Sequence, residues 1–245
     1  MSVSTSKAPE RIAGMFDAIA VRYDRLNHLL SAGLDRGWRH RAIRELRLTQ
    51  SDRLLDVCTG TADLAIEAAT HRHGAAGRVV GVDFAGEMLR IGVDKVRQAG
   101  LSGRIALARG DAMRLPIGDG TVDAATVAFG IRNVSDTAAG CRELWRVLRP
   151  GGRLAILEFG MPTTPGVAGV YAWYFRHVLP KIGRLVSRHT EAYDYLPASV
   201  SMFPSGEAFV TLLRQTGFAP VRSVPLALGA VYLYVAERPR TGGAS

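Results

Sequence analysis

Between Asp56 and Leu64 the chain reads DVCTGTADL, an acidic, hydroxyl-rich loop with a single glycine, Gly60. Two further carboxylates occupy comparable positions: Asp83 closes GRVVGVDF, and Asp111 stands in RGDAMRLP. Each follows a short apolar run. Ligands of open parallel sheets bind beyond the carboxyl ends of the strands, so this spacing predicts three carboxylates along one edge. A dinucleotide loop needs G-x-G-x-x-G to bring a pyrophosphate onto the backbone at a helix N-terminus. Here there is only Gly60, and Asp56 would repel a phosphate. No G-x-x-x-x-G-K-[ST] occurs, which excludes a P-loop. S-adenosyl-L-methionine reverses the electrostatic demand, because it has no phosphate and carries an ammonium and a sulfonium that a carboxylate stabilises. On that reading Asp56 serves the cationic end. Asp83 accepts from the ribose hydroxyls as a two-oxygen acceptor, and Asp111 with the Ala112 backbone reads the adenine edge. An N-cap or turn explains any one of these aspartates singly. Their joint placement points to the cofactor.

The elements that must hold these residues follow from hydrophobic periodicity. Residues 1–9 read as a disordered tail, and from Glu10 to about Leu48 apolar residues recur at helical spacing. RLLDV, GRVVGVDF, RIALARGD, TVDAATVAFG and GRLAILEFG read as strands apolar enough to be covered on both faces. Between them TADLAIEAATHR, AGEMLRIGVDKVRQAG and TAAGCRELWRVLR read as helices, the last stopped by Pro150-Gly151-Gly152. Strand and helix alternate, which predicts an α/β class, doubly wound, mostly parallel sheet in one domain over 10–237. A helical, aromatic stretch over 162–202 reads as a lid insertion. Then come the helix in FPSGEAFVTLLRQTGF and two strands, APVRSVPL and GAVYLYVAER, that pair at the end of the sheet. Residues 238–245 read as a flexible tail.

Composition narrows the function classes. The chain has 245 residues and a formal charge of +9; of its 31 basic residues only Lys7, Lys95 and Lys181 are lysine. The arginines are spread along the chain and form no basic block interleaved with aromatics, so no specific nucleic acid is expected as a partner. Cys58 and Cys141 lie far apart with no CxxC, and His71, His73, His177 and His189 show no ligand spacing. Neither a disulfide framework nor a metal site is expected, and a reducing, cytoplasmic setting fits. The N-terminal MSVSTSKAPE has no apolar h-region, and no run of about 18 apolar residues occurs.

Several blocks together resemble a known family. MFDAIAVRYDRLNHLLSAGLDRGWR, GDAMRLPIGDGTVDAATVAFGIRNVSD, LRPGGRLAILEFG and YDYLPASVSMFP are similar to the successive motifs of class I S-adenosylmethionine-dependent methyltransferases. Within that class they resemble the menaquinone and ubiquinone biosynthesis C-methyltransferases. FGIRN is the most specific of these signals, and the likeness runs from about Met15 to Ala236. It implies methyl transfer to a ring carbon of a polyprenylated quinol, demethylmenaquinol to menaquinol being the usual case. Thr61, Asp83, Asp111 and Ala112 match the family's cofactor-contact positions, and Tyr23 and Asn27 match its N-terminal block on the substrate side. The sequence departs from the family at Ala62, for glycine, at Ala128, for serine, at Ala198, for glutamate, and in GAVYLYVAER, which lacks a histidine. Alanine at 62 is tolerated provided φ stays negative.

Methyl transfer to carbon needs the acceptor ring held near attack distance in a dry site, with density pushed onto it by an ionising hydroxyl. Arg132 of FGIRN is expected to face the ring, stabilising the developing phenolate or ordering a water. It stays protonated, so it is not the base. Tyr195, Tyr23 and His28 are the other polar candidates. The segment over 166–186 is expected to close the site or to touch the inner face of a membrane through a basic, aromatic helix. The expected partners are a lipid-like quinol, a membrane surface touched peripherally and, as an open alternative, a second copy of the chain.

Overall fold

The protein is described by a computed structural model that covers residues 7–162, 166–173 and 191–240. Helix α1 (Pro9–Leu30) starts with proline at its first turn and buries Ile12, Ala13, Met15, Ile19 and Ala20, which recur at three- and four-residue spacing. A left-handed Gly33, φ 79°, turns the chain into α2 (Leu34–Leu46), which buries Ala42, Ile43 and Leu46. Helix α1 thus begins inside the stretch expected to be a tail.

From Arg53 the chain alternates strand and helix: β1 (Arg53–Val57), α3 (Asp63–Thr70), β2 (Arg78–Asp83), α4 (Gly86–Gln98), β3 (Ile105–Arg109) and β4 (Val122–Ala128). After a 3₁₀ turn, Ile131–Asn133, follow α5 (Thr137–Val147), β5 (Leu148–Phe159), α6 (Val167–Trp173), α7 (Glu191–Met202), α8 (Glu207–Thr216), β6 (Val221–Leu226) and β7 (Val231–Glu237). The seven strands lie in the order β3-β2-β1-β4-β5-β7-β6, with β1 to β5 parallel and β7 antiparallel to both its neighbours. β7 therefore slides between β5 and β6, as the expected antiparallel close of the sheet.

Successive residues of a strand face opposite ways, and β1 shows it: Leu55 packs in one buried cluster with Leu144, Phe209 and Tyr234, while Leu54 packs in another with Ile43, Leu46 and Ala65. Helices cover both faces. Two local expectations differ from the structure. Pro150-Gly151-Gly152 does not stop α5; the helix ends at Val147 and these residues lie inside β5. Left-handed Gly151, φ 78°, and a register shift between Val122 and Ala124 let the strand bend through them. β3 is an edge strand whose Ala106 and Ala108 are exposed, so its apolar run is not covered on both faces. Of the expected lid, α6 and α7 are described. Arg176, His177, Lys181 and Arg184 lie outside the described residues, as do residues 1–6 and 241–245 of the expected tails.

The chain runs outward from β1 to β3 on one side of the sheet and from β4 to β5 on the other. The crevice at the carboxyl ends of β1 and β4 is thus the switch point where an open α/β sheet binds its ligand.

Candidate functional site

A cleft of about 790 Å³, its open mouth included, lies at that switch point. Val57, Cys58 and Gly60 come from the end of β1, Val82 to Ala85 from the end of β2, and Gly110 to Met113 from the end of β3. Ala128 to Gly130 come from the end of β4, and Ile12, Phe16 and Tyr23 of α1 form the roof. Cys58 at φ 55° and Phe129 at φ 57° hold left-handed backbone on the two sides of the switch. Such conformations cost an L-residue about 1–2 kcal/mol each and persist where surrounding packing imposes them. The packing is visible at Gly130, where an added Cβ would lie 2.2 Å from the Cys58 Cβ. Burial and the carboxylates around Cys58 push its thiol well up, so it stays protonated and is no nucleophile.

The three aspartates divide into two in the cleft and one beneath it. Asp83 lines the cleft and accepts from the Gly60 and Ala85 amides at 2.8 Å each. Burial pushes its carboxyl up, and these amides oppose the shift. Asp111 also lines the cleft and accepts from the Met113 amide at 2.8 Å, with Ala112 beside it. Asp56 is 1% exposed and is not among the lining residues. Its two oxygens accept from Thr59 Oγ1 at 2.6 Å and Thr126 Oγ1 at 2.7 Å. Burial raises its pKa to about 6 against these hydrogen bonds. The structure therefore places Asp56 as an internal brace of the β1 loop, not facing the cationic end of a ligand. The strand alternation that puts Val57 on the cleft side turns Asp56 inward.

Arg132 and Tyr195 also stand behind the cleft wall. Arg132 is 5% exposed; its Nη1 donates to Glu158 Oε1 at 2.7 Å and to the Phe129 carbonyl, and its Nε donates to Ser199 Oγ at 3.3 Å. Its backbone N–H donates to Glu158 Oε2 at 3.1 Å, and its guanidinium lies 5.2 Å from the Phe159 ring centroid. The guanidinium thus holds Phe129, a lining residue, from behind instead of facing the ring. Tyr195, 2% exposed, packs with Ile12 and Met15 of α1, and its hydroxyl has no hydrogen-bond partner among the described residues. Burial pushes its phenol up.

Thr61 belongs to a polar network that ties the N-terminal helices to the sheet. Its hydroxyl donates to Asp24 Oδ1 of α1 at 2.6 Å, and Lys95 of α4 bridges Asp24 at 2.8 Å and Asp63. Arg39 of α2 continues the network to Asp63 at 3.4 Å and Asp35 at 2.8 Å, and His28 and Ser31 reach Asp35 at 3.1 and 2.9 Å. His28, half exposed, thus serves the α1–α2 corner and not the cleft. Tyr23 does line the cleft, with burial raising its phenol pKa and a hydrogen bond to Asn27 lowering it. Asn27 is one step removed, behind Tyr23.

Sequence reasoning missed Glu158 and Lys7. Glu158 is fully buried on β5 and reads in LAILEFG as one polar residue in a strand. Lys7 lies in the stretch expected to be a tail, yet it is the one cation among the described lining residues. Burial, and then the nearby Arg132, push its ammonium down, while Glu158 holds it up.

The cleft fits S-adenosyl-L-methionine and not a dinucleotide. An added Cβ at Gly60, φ 53°, meets nothing within 4 Å, so the backbone there is open to a ligand. The lining holds two carboxylates for one cation, which suits a ligand carrying a sulfonium and an ammonium. Asp83 would hold the ribose hydroxyls and the Asp111–Ala112 turn the adenine. A seven-stranded sheet with β7 reversed and a ligand cleft at its switch point is the fold of the class I S-adenosylmethionine-dependent methyltransferases.

The comparisons with known proteins narrow that class. The model of the ubiE/COQ5 methyltransferase family matches residues 4–238. The chain is 46% identical to the ubiquinone/menaquinone biosynthesis C-methyltransferase UbiE of a Geobacter species, covering 95% of this chain and 98% of the relative. It is 44% identical to the demethylmenaquinone methyltransferase of Deinococcus radiodurans, covering 94% and 93%. Among solved structures it is similar to the [4+2]-cyclase SpnF, with a TM-score of 0.68 at 19% identity over 94% of this chain and 96% of that one, a likeness of fold alone. The protein belongs to the ubiE/COQ5 methyltransferase family.

Proposed function

We propose that the protein methylates a ring carbon of a lipid-like quinol with S-adenosyl-L-methionine as donor, demethylmenaquinol to menaquinol being the favoured reaction. The cleft carries the reading. Its lining combines the carboxylates Asp83 and Asp111 with apolar and aromatic side chains, among them Ile12, Phe16, Ala128, Phe129 and Val134. A polar cofactor and a flat apolar ring can therefore lie side by side, and relatives of the same length carry quinone C-methyltransferase names.

When bound, the cofactor supplies an electrophilic methyl carbon on a sulfonium. Asp83, Asp111, Ala112 and Gly60 bind it, while Thr61 and Asp56 hold the loop beneath it in shape. Tyr23, positioned by Asn27, and Phe129 hold the acceptor ring and exclude water. Lys7, which lines the cleft, would offer a positive charge to the quinol oxygen in its deprotonated form, favouring the ring carbon as nucleophile, and the hydroxyl proton and the displaced ring proton would leave to solvent at the open mouth. Arg132 is a positioning residue: paired to Glu158, it fixes the Phe129 carbonyl and the turn that follows. Tyr195 supports the α1 roof from α7. Among the described residues no helix is long and apolar enough to cross a membrane. Peripheral contact with a lipid surface belongs to the same reading, because the acceptor is lipid-like.

Incubation with methyl-labelled S-adenosyl-L-methionine and a panel of demethylated naphthoquinols and benzoquinols, read by mass, tests the reading. Methylation of a naphthoquinol is the expected result. Methylation of none of them, by protein that still binds the cofactor, overturns it.

A further inference from the structure

Away from the cleft, α2, the end of α3 and the turn after it bring together His40, Glu67, His71 and His73. None of these residues lines the cleft. Glu67 and His71 are four residues apart, so they share one face of α3 and its C-terminal cap. His40 approaches from α2, its Nδ1 3.1 Å from Glu67 Oε1. Its ring lies 4.2 Å, centroid to centroid, from that of His71, with the His73 ring 5.8 Å from His71. One donor atom each from His40, Glu67 and His71 lies within 4.8 Å of the other two.

His71 supplies an independent sign of a missing partner. It is 5% exposed, its Nδ1 accepts from the His73 amide at 3.3 Å, and its Nε2 is buried with no hydrogen-bond partner among the described residues. Buried polar atoms are normally paired, and those left over call for an explanation.

We propose that His40, Glu67 and His71 bind one divalent transition-metal ion, with Zn²⁺ the best match. Two imidazoles and a carboxylate suit that ion, with water as the fourth ligand. Donors at about 2.0–2.1 Å on a tetrahedral ion lie roughly 3.3 Å apart, close to the spacing already present between His40 and Glu67. The wider separation to His71 closes by rotation of His40 and Glu67, whose side chains are 37% and 30% exposed. A metal on Nε2 leaves the proton on Nδ1, so the long contact to the His73 amide is given up, and that exposed turn can meet water instead. The ion would clamp α2 onto α3, and so the N-terminal helices onto the sheet.

The test uses the untagged full chain, freed of metal by chelation, titrated with Zn²⁺ by calorimetry and melted with and without the ion. The expected result is one Zn²⁺ per chain and a higher Tm with Zn²⁺ in the wild type. His71→Ala and His40→Ala should weaken binding about tenfold or more, with cofactor affinity unchanged. Because His71 is buried and its variant can fail to fold, the half-exposed His40→Ala keeps the test decisive. Co²⁺ bound in the wild type should show the intense visible absorption of a four-coordinate ion, lost in His40→Ala. Equal Zn²⁺ affinity in wild type and His40→Ala, or no stoichiometric binding in the wild type, overturns the proposal.

Discussion

Glu158→Ala is the perturbation that most directly tests the wall behind the cleft. The Glu158 side chain is 0% exposed and that of Arg132 6%, so neither charge has water to turn to. Glu158 accepts from Arg132 Nη1 at 2.7 Å, from the Arg132 amide at 3.1 Å and from the Phe159 amide at 2.8 Å. Truncation leaves a buried guanidinium without its counter-charge and two amides without their acceptor. Breaking such a pair costs about 3–5 kcal/mol. For a domain of this size each kcal/mol moves Tm by about 2–4 °C, so a fall of roughly 6–20 °C is expected in thermal unfolding. Replacing both residues by apolar ones, Arg132→Met with Glu158→Leu, removes the uncompensated charge and should recover the part of that loss due to it, while the two amides stay without their acceptor. The double-mutant cycle should therefore be strongly non-additive. A Glu158→Ala protein within about 1 kcal/mol of wild type, or a double variant whose loss equals the sum of the singles, would refute the reasoning. The functional half is separate: Arg132→Lys should fold, bind S-adenosyl-L-methionine and turn over poorly. Full turnover would remove its positioning role.

Further outcomes follow from the same geometry. Asp56 titrates near 6 in the fold and near 3.8 unfolded, so between these values the folded state holds the extra proton and stability falls as pH rises. The difference of roughly two pKa units is worth about 3 kcal/mol above pH 6. Asp56→Asn should thus gain on the wild type between pH 4 and pH 7 in urea titrations, and a difference independent of pH would count against it. Asp83→Asn keeps one acceptor but turns an amide donor toward Gly60 N–H or Ala85 N–H; leaving one donor unpaired costs about 1–3 kcal/mol of stability, read as a lower Tm, and the lost carboxylate oxygen should weaken cofactor affinity measured by calorimetry. Ala62 has φ 67° and is 0% exposed, against the expectation of a negative φ. Ala62→Gly trades relief of about 1 kcal/mol of left-handed strain against a lost methyl worth about 0.8 kcal/mol, so its Tm should barely move. Ala62→Val, β-branched at that φ, should lose much more. Gly130→Ala drives a Cβ to 2.2 Å from the Cys58 Cβ and should cost about 1–3 kcal/mol and distort the cleft, seen as lost cofactor binding.

Much of the fold was legible because local chemistry and global packing agree. RLLDV is β1 residue for residue, and β2, β4, α4 and α5 lie within the runs read as strands and helices, because apolar period and turn residues mark them. The break came at Pro150-Gly151-Gly152, whose usual meaning as a stop was overridden by pairing of the strand with β4 and β7. Asp83 and Asp111 were legible as cleft residues because one ends a strand of a parallel sheet and the other lies just past the end of the next. Asp56 follows the same sequence rule yet turns inward, and only the pleat and the two threonines decide that. Glu158 and Lys7 carried no local signal, since one sits within a strand and the other in a polar N-terminal stretch.

Strand and helix alternation, the absence of a phosphate loop and the FGIRN block are properties of neighbouring residues, so the sequence by itself determined the sheet, the kind of cofactor and the family. Pairings across tens of residues depend on how elements pack. Arg132 meets Glu158 across 26 residues, Thr61 meets Asp24 across 37, and His40 meets Glu67 across 27. Periodicity constrains which face of an element is buried but not which side chain of another element it meets. Hence only the tertiary structure decided which polar residues open onto the cleft, which brace it from behind, and which gather at the far end of α3.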